Sequence, residues 1–309
     1  MIRLFCIANR NARRFRKYPE LLKNLERFFP TTAGKLCLTS TLAEAENAFE
    51  LAARDRPDTI ILCGGDGTLH HALNRLIALY QGDPLPKILI IPAGTMNVVF
   101  HSLPKNRSRQ ELDFEHIFHE LVANQTKSKT ALPLAKCNDT FGFIFGIGGF
   151  ANFVNWYRNC PDPTPTRAIR LVTQLMIGKA MGFESAKRIF AAFSAKIHED
   201  GQMQPTTTYR SISYSCVSHI GFRFHLYPDA QTENKKLGSF NLRGSETNLF
   251  FHTPVFFMNK KPKSKAFDQR AIDTADIKLE EAQRWMMDGE MFPAETSFAI
   301  GKGPTLTFV

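Results

Sequence analysis

The order of apolar and polar positions divides the chain into two halves of different rhythm. In the first half, short apolar runs alternate with amphipathic stretches. Ile2 to Ala8 reads as a strand. Pro19 opens a helix whose apolar face is Leu21, Leu22, Leu25, Phe28 and Phe29, spaced near 3.6 residues. Lys35 to Thr39 is a second strand. Thr41-Leu42-Ala43-Glu44 is a capping box that starts a helix through Ala45, Ala48 and Ala52. Thr59 to Cys63 is apolar enough to be a parallel strand covered on both faces. A helix from about Thr68 to Tyr80 buries Leu69, Leu73 and Leu76, and Lys87 to Ile91 is a fourth strand ended by Pro92. This alternation predicts a doubly wound parallel sheet with helices on both faces.

Past about residue 125 the rhythm changes. Nineteen of the 27 phenylalanines lie in 141–309, and 141–147, 208–218, 221–227, 248–258 and 296–300 read as strands. Helical spacing is clear only over 166–194, through Ile169, Leu171, Val172, Leu175 and Met176. The second half is therefore expected to be mainly antiparallel β with one helical insertion. Plain core packing accounts for most of its phenylalanines. The uncharged stretch 140–157 carries four glycines, which suits Phe-rich strands better than a membrane-spanning helix. The expected domains are an α/β domain at 1–128, a β-rich domain at 129–292, and a tail at 293–309.

Composition narrows the class. With 309 residues, 43% of them hydrophobic and 22% charged, the chain can bury a core without a disulfide or metal staple. The six cysteines form no CxxC pair, and the N-terminus lacks the layout of a secretory signal, so a cytoplasmic protein with reduced thiols is expected. Net charge is +10, and residues 1–35 hold nine Lys or Arg against Glu20 and Glu26. Such an excess points to an anionic partner: a nucleotide, a nucleic acid or an acidic membrane surface. No aromatic-basic motif of a nucleic-acid reader accompanies it, so nucleic acid is not expected.

Two turns carry the candidate chemistry. Gly64-Gly65-Asp66-Gly67-Thr68 joins a strand to a helix, where glycines admit a phosphate to the backbone and helix amides face it. It is not a P-loop. Taken alone it is equally a tight turn in which Asp66 or Thr68 caps the helix. Pro92-Ala93-Gly94-Thr95-Met96-Asn97 repeats the pattern at the next strand end, and two such turns at one sheet edge would converge on one crevice. A third signal, Asp288-Gly289-Glu290, is by itself a hairpin turn. Beside a triphosphate, Glu290 becomes a candidate base and Asp288 an orienting or metal-linked carboxylate.

Together, GGDGT at 64–68, PAGTMN at 92–97, YPDA at 227–230 and DGE at 288–290 resemble the diacylglycerol kinase catalytic-domain family, which includes bacterial stand-alone lipid kinases and sphingosine and ceramide kinases. The resemblance implies an α/β nucleotide domain, a β-sandwich lipid domain, and a C-terminal tail packing toward the first. It implies ATP with Mg²⁺ between the domains. Asn9, Thr39, Gly64 to Thr68, His71, Gly94, Thr95 and Asn97 would border the nucleotide, Asp66 would anchor the metal, and Glu290 would accept the proton. The sequence departs from the family pattern at Arg10 and Arg13, at His71, at Leu132-Pro133-Leu134, and at Glu233-Asn234-Lys235, where a structural Mg²⁺ site would need an Asp-Asp-Gly stretch. The expected activity is ATP-dependent phosphorylation of a lipid hydroxyl such as that of diacylglycerol. The enzyme would associate peripherally with an anionic membrane, and a homodimer is possible. Two alternatives stay open: a related GGDGT kinase acting on NAD, and a kinase-like protein that binds nucleotide or membrane without catalysis.

Overall fold

The computed structural model describes residues 2–29, 34–103, 129–161, 164–180, 185–205, 207–221, 224–230 and 236–309. Glu233-Asn234-Lys235 lies outside the described residues. The chain divides into two compact units, Met1–Leu132 with Thr305–Val309, and Pro133–Pro304. The divisions thus fall after Leu132 and Pro304, where 128 and 292 were expected.

In the first unit, β1 (Leu4–Asn9), β2 (Lys35–Thr39), β3 (Thr59–Gly64) and β4 (Lys87–Pro92) form a parallel sheet in the order β2-β1-β3-β4. Phe308 adds a parallel pairing to Ile88. The strands are apolar on both faces because both faces are covered. Cys6, Ile61 and Leu89 lie on one face, in a core with Phe15, Leu25 and Phe29 from α1 (Arg13–Lys17) and α2 (Pro19–Phe28). The alternate residues Phe5, Ile7, Ile60 and Leu62 are as fully buried. Against that side pack α3 (Leu42–Asp55) and α4 (Asp66–Tyr80). The predicted cap of α3 is present: Thr41 Oγ1 accepts from Glu44 N at 3.2 Å. Glu44 reaches back to Ser40 N, at 2.6 Å, one residue beyond the usual partner. A short helix, α5 (Val98–Ser102), follows the turn after β4.

The second unit holds most of β5 (Thr130–Cys137), then β6 (Thr140–Gly142), β7 (Ile144–Gly148), α6 (Gly149–Arg158), α7 (Pro165–Ala180), α8 (Ser185–Ile189), β8 (Phe193–Glu199), β9 (Gln202–Met203), β10 (Thr208–Tyr209), β11 (Ser211–Ser215), β12 (Leu237–Leu242), α9 (Glu246–Phe257), β13 (Phe267–Ile272), β14 (Ala275–Met287) and most of β15 (Glu290–Phe308). The pairs β13-β12-β11-β7-β14-β15 are all antiparallel. The long strand β14 joins two groups. Ala275 to Leu279 pair with β8, and Trp285 to Met287 pair with β7. Its register against β15 slips between Lys278 and Gln283 and again between Arg284 and Trp285, which lets the hairpin bend from one group to the other. Phe145, Tyr214, Trp285 and Phe298 are buried together, with Phe145 and Phe298 ring centroids 5.4 Å apart. Aromatic pairs of this kind add about 0.5–1.5 kcal/mol beyond area burial.

Three expected strands are different in the structure. Residues 140–157 change course at Gly148 (φ 66), beyond which α6 begins. A side chain at Gly148 would strike the Phe193 ring, so glycine is required for space as well as conformation. Residues 248–257 belong to α9, although Phe250, Phe251, Val255, Phe256 and Phe257 favour strands by propensity. Tertiary packing of Leu249 and Phe256 overrides that preference. The segment 221–227 contributes only the bridge between Ile220 and Phe224 among the described residues.

A buried polar cluster crosses between the strand groups. Glu199 on β8 is 3% exposed, and its Oε1 accepts from Tyr214 Oη at 2.9 Å and Asn241 Nδ2 at 3.1 Å. Its Oε2 lies 3.4 Å from Arg270 Nε without a hydrogen bond. Burial raises the Glu199 carboxyl above its ordinary range, outweighing Tyr214, Arg270 and Asn241, which pull the other way. The native state therefore binds this proton more tightly than the unfolded chain. The resulting stability is fully present below the unfolded pKa, about 4.3, and is lost as pH rises through the folded value. Melting wild type and Glu199→Gln from pH 4 to 8 should show the wild-type advantage shrinking as pH rises. A difference that stays constant with pH would reject this account.

Candidate active site

The candidate residues of the first unit gather at the C-terminal edge of its parallel sheet. Helix α4 starts at Asp66, two residues earlier than expected, with Gly65 as N-cap. Asp66, Gly67 and Thr68 thus form the first helical turn, whose amides have no acceptor within the helix. The Thr68 side chain folds back over Gly64, where an added Cβ would come within 2.5–2.7 Å of it. Thr68 Oγ1 also accepts from Asn9 Nδ2 at 3.2 Å, tying the end of β1 to the start of α4. Asn9 Oδ1 in turn accepts from Asn11 N at 2.9 Å.

The turn after β4 locks onto the turn after β3. Gly64 O accepts from Ala93 N at 2.8 Å and from Gly94 N at 3.2 Å. Gly65 and Gly94 meet backbone to backbone: a Cβ on Gly65 would lie 3.0 Å from Gly94 Cα, and one on Gly94 would collide with Gly65 Cα. Neither glycine has a positive φ, so close approach, not an unusual conformation, is what requires them. Asn97 stabilises the second turn, its Oδ1 accepting from Gly94 N at 3.0 Å and its Nδ2 donating to Gly94 O at 3.2 Å. Asn97 itself takes φ 47, a left-handed position that asparagine tolerates. Asp66 Oδ1 accepts from Val99 N at 3.4 Å, linking α4 to α5.

Other residues sit differently from expectation. Thr39 is buried, its hydroxyl donating to Ala8 O at 3.4 Å while its carbonyl accepts from Arg10 N at 2.8 Å. It braces the loop after β1 from within. Thr95 is half-buried in the second turn, and His71 is exposed on α4. Arg14 was not singled out from the sequence. Its N–H donates to Ala93 O at 3.0 Å and its Nη1 to Pro92 O at 3.4 Å, so α1 clamps the second turn. Burial lowers the Arg14 pKa. Only its place in a helix beside a strand end could have flagged it.

Asp288 and Glu290 form their own cluster in the second unit. Asp288 (φ 55) and Gly289 (φ 86) make a two-residue turn between β14 and β15, with Met287 opposite Glu290. Asp288 Oδ1 accepts from Phe143 N at 2.8 Å and Ile144 N at 2.9 Å, and Asp288 N donates to Ile144 O at 2.9 Å. Its carboxylate thus fastens the turn to the start of β7. Glu290 is half-buried and pairs with Arg158, whose Nη1 lies 2.8 Å from Glu290 Oε2 and 2.5 Å from Gly289 O. Arg158, at the end of α6, is a second residue that sequence spacing did not reveal.

Among the described residues, no three His, Cys, Asp or Glu side chains gather into a metal cage. Asp66 supplies a single hard carboxylate. That suits Mg²⁺, which usually combines one or two carboxylates with phosphate oxygens and water.

This arrangement has known counterparts. Residues 3–131 match the family described as diacylglycerol kinase catalytic domain. A curated Streptococcus pneumoniae serotype 4 protein named "Putative lipid kinase" is 29% identical over 140 residues, which is 45% of this chain and 43% of that protein. The match therefore spans less than half the length of that relative. A diacylglycerol kinase structure from Bacillus anthracis str. Sterne is similar over 99% of this chain and 96% of its own, with TM-score 0.68 and 18% identity. A second structure from the same strain gives TM-score 0.76 over the same coverage, also at 18% identity. At this identity the likeness is one of fold.

Gly94→Ala tests the interlock. The added methyl would force the two turns apart, at about 1–3 kcal/mol of stability. Thermal denaturation should show the lowered stability, and unchanged melting would show that the turns can separate freely.

Proposed function

We propose that the protein is a lipid kinase that transfers the terminal phosphoryl group of ATP to a lipid hydroxyl. The observation that carries this reading is the interlock of the two strand-end turns, which clears side chains from an edge lined by helix amides. Phosphoryl transfer passes through a loose transition state, so positioning and charge neutralisation matter more than covalent chemistry. In this reading the amides of residues 66–68 hold the phosphates, and Asn9, bonded to Thr68, keeps the loop after β1 in register with them. When bound, Mg²⁺ would supply charge neutralisation on the phosphates, held by Asp66.

Glu290 is the proposed proton acceptor for the attacking hydroxyl. Asp288 acts as a positioning residue, because its carboxylate is engaged with the β7 backbone. Arg158 orients the Glu290 carboxylate through their 2.8 Å contact. A lipid acceptor is supported by the family of the first unit and by the printed name of its curated relative.

γ-Labelled ATP incubated with vesicles of defined lipids, and separately with NAD⁺, tests the acceptor. Label in a lipid product is expected. Label in NAD⁺ alone, or in nothing, would overturn the assignment. Glu290→Ala should lower kcat by about 10²–10⁴-fold, the usual range for a positioned base, with melting little changed. Turnover within a few-fold of wild type would remove Glu290 from the base role.

A further inference from the structure

Helix α9 spreads its apolar residues around its circumference instead of gathering them on one face, and only some of them are buried. Leu249 and Phe256 face the interior, where Phe256 meets Phe224, Phe240 and Phe267 at ring-centroid distances of 5.2–5.6 Å. On the outer side, Phe251 is 79% exposed, Phe257 53% and Met258 57%, with Pro254 exposed between them. Seven large hydrophobic side chains are exposed among the described residues, and these three fall within eight consecutive positions. Such clustering is not the scattered exposure found on any protein surface.

Directly after the helix come Lys260, Lys261, Lys263 and Lys265, all exposed. Lys261 pairs with Asp229 at 2.5 Å, while the other three have no ion-pair partner among the described residues. From Thr247 to Phe267 the sequence contains no acidic residue. The surface therefore joins bulky apolar side chains to uncompensated positive charge. A second copy of the chain is a poor cover for it, since a two-fold contact would bring the same lysines face to face. An anionic bilayer complements both parts: acyl chains and headgroup carbonyls accept the phenylalanines, and phosphates accept the lysines.

We propose that α9 and the Lys260–Lys265 segment form a docking surface for anionic membrane. This deepens the lipid-acceptor reading and rests on it for its biological sense, but membrane binding is measured without ATP or turnover, so either can fail alone.

The experiment is co-sedimentation of the full chain with phosphatidylglycerol–phosphatidylcholine vesicles and with phosphatidylcholine alone. Wild type should bind the anionic vesicles and not the neutral ones. Lys260→Glu with Lys263→Glu and Lys265→Glu should lower the partition coefficient by about 10²-fold, at about fivefold per lysine near the surface. Phe251→Ser with Phe257→Ser should lower it about tenfold or more. Circular dichroism melts check folding: the lysine substitutions should leave them unchanged, and Phe257→Ser, which removes a ring 5.3 Å from Phe224, should lower the Tm slightly without unfolding the protein. Binding by both variants at wild-type strength would overturn the proposal, as would equal binding to neutral vesicles. A wild-type dimer that the phenylalanine substitutions dissociate in analytical ultracentrifugation would also overturn it, by showing a second copy on this face.

Discussion

The C-terminal edge of the first unit's parallel sheet depends on two glycines touching. Gly65 caps α4 and Gly94 lies in the turn after β4; a Cβ on Gly94 would collide with Gly65 Cα, and one on Gly65 would press on Gly94 Cα at 3.0 Å. Backbone packed on backbone leaves little freedom for either turn, so the first turn of α4, residues 66–68, is held in place. The surrounding bonds all serve the same contact. Asn97 closes the second turn on itself, Arg14 holds its carbonyls from α1, and Asp66 joins the two helices that begin there. Most of the polar side chains at this edge are therefore spent on shape. What is left to face a ligand is mainly backbone, the group best suited to an anion whose oxygens outnumber any single side chain's donors.

The Asp-Gly turn of the second unit uses a related economy. Its two residues adopt the left-handed conformations that a tight hairpin needs, and the same Asp288 carboxylate accepts from the N–H groups of Phe143 and Ile144, where β7 begins. A turn that would otherwise flex at the end of a long hairpin is anchored at its tip. Glu290, the first residue of β15, inherits that rigidity, and Arg158 restricts what remains of its freedom. Reading this triplet as a hairpin signal and reading it as chemistry are therefore not rivals, because the hairpin is what holds the glutamate.

The first unit was legible because its pattern has few solutions. Continuous apolar runs such as Thr59–Cys63 must be covered twice, and Thr41 and Glu44 mark a helix start by mutual bonding. The turns at 64–68 and 92–97 stood out through glycine, but one reason for those glycines was not legible in the sequence: they make room for each other and for Thr68. Arg14 and Arg158 were hidden because each acts through a distant partner, Pro92 and Glu290 respectively, and spacing along the chain carries no trace of such pairs. Asp288 was visible, but its bonds to Phe143 and Ile144 were not, for the same reason.

The misreading of 248–258 as a strand has the same physical root as the surface that α9 presents. A helix that buries one face announces itself by period, because its outer face is polar. Here the outer positions Phe251, Pro254 and Phe257 are as apolar as the inner Leu249 and Phe256, so no period of 3.6 survives and aromatic content suggests a strand instead. Pro254 adds to the confusion, since it removes a helical donor; Thr253 and His252 make side-chain bonds to the carbonyls four residues earlier, alongside the ladder it interrupts. A water-exposed helix gains nothing from an apolar outer face, and the lysines that follow place it under a positive field. The feature that defeats periodicity is thus itself information: apolar residues on the outer side of α9, followed at once by exposed lysines, are the two parts that the proposed docking on an anionic bilayer would use.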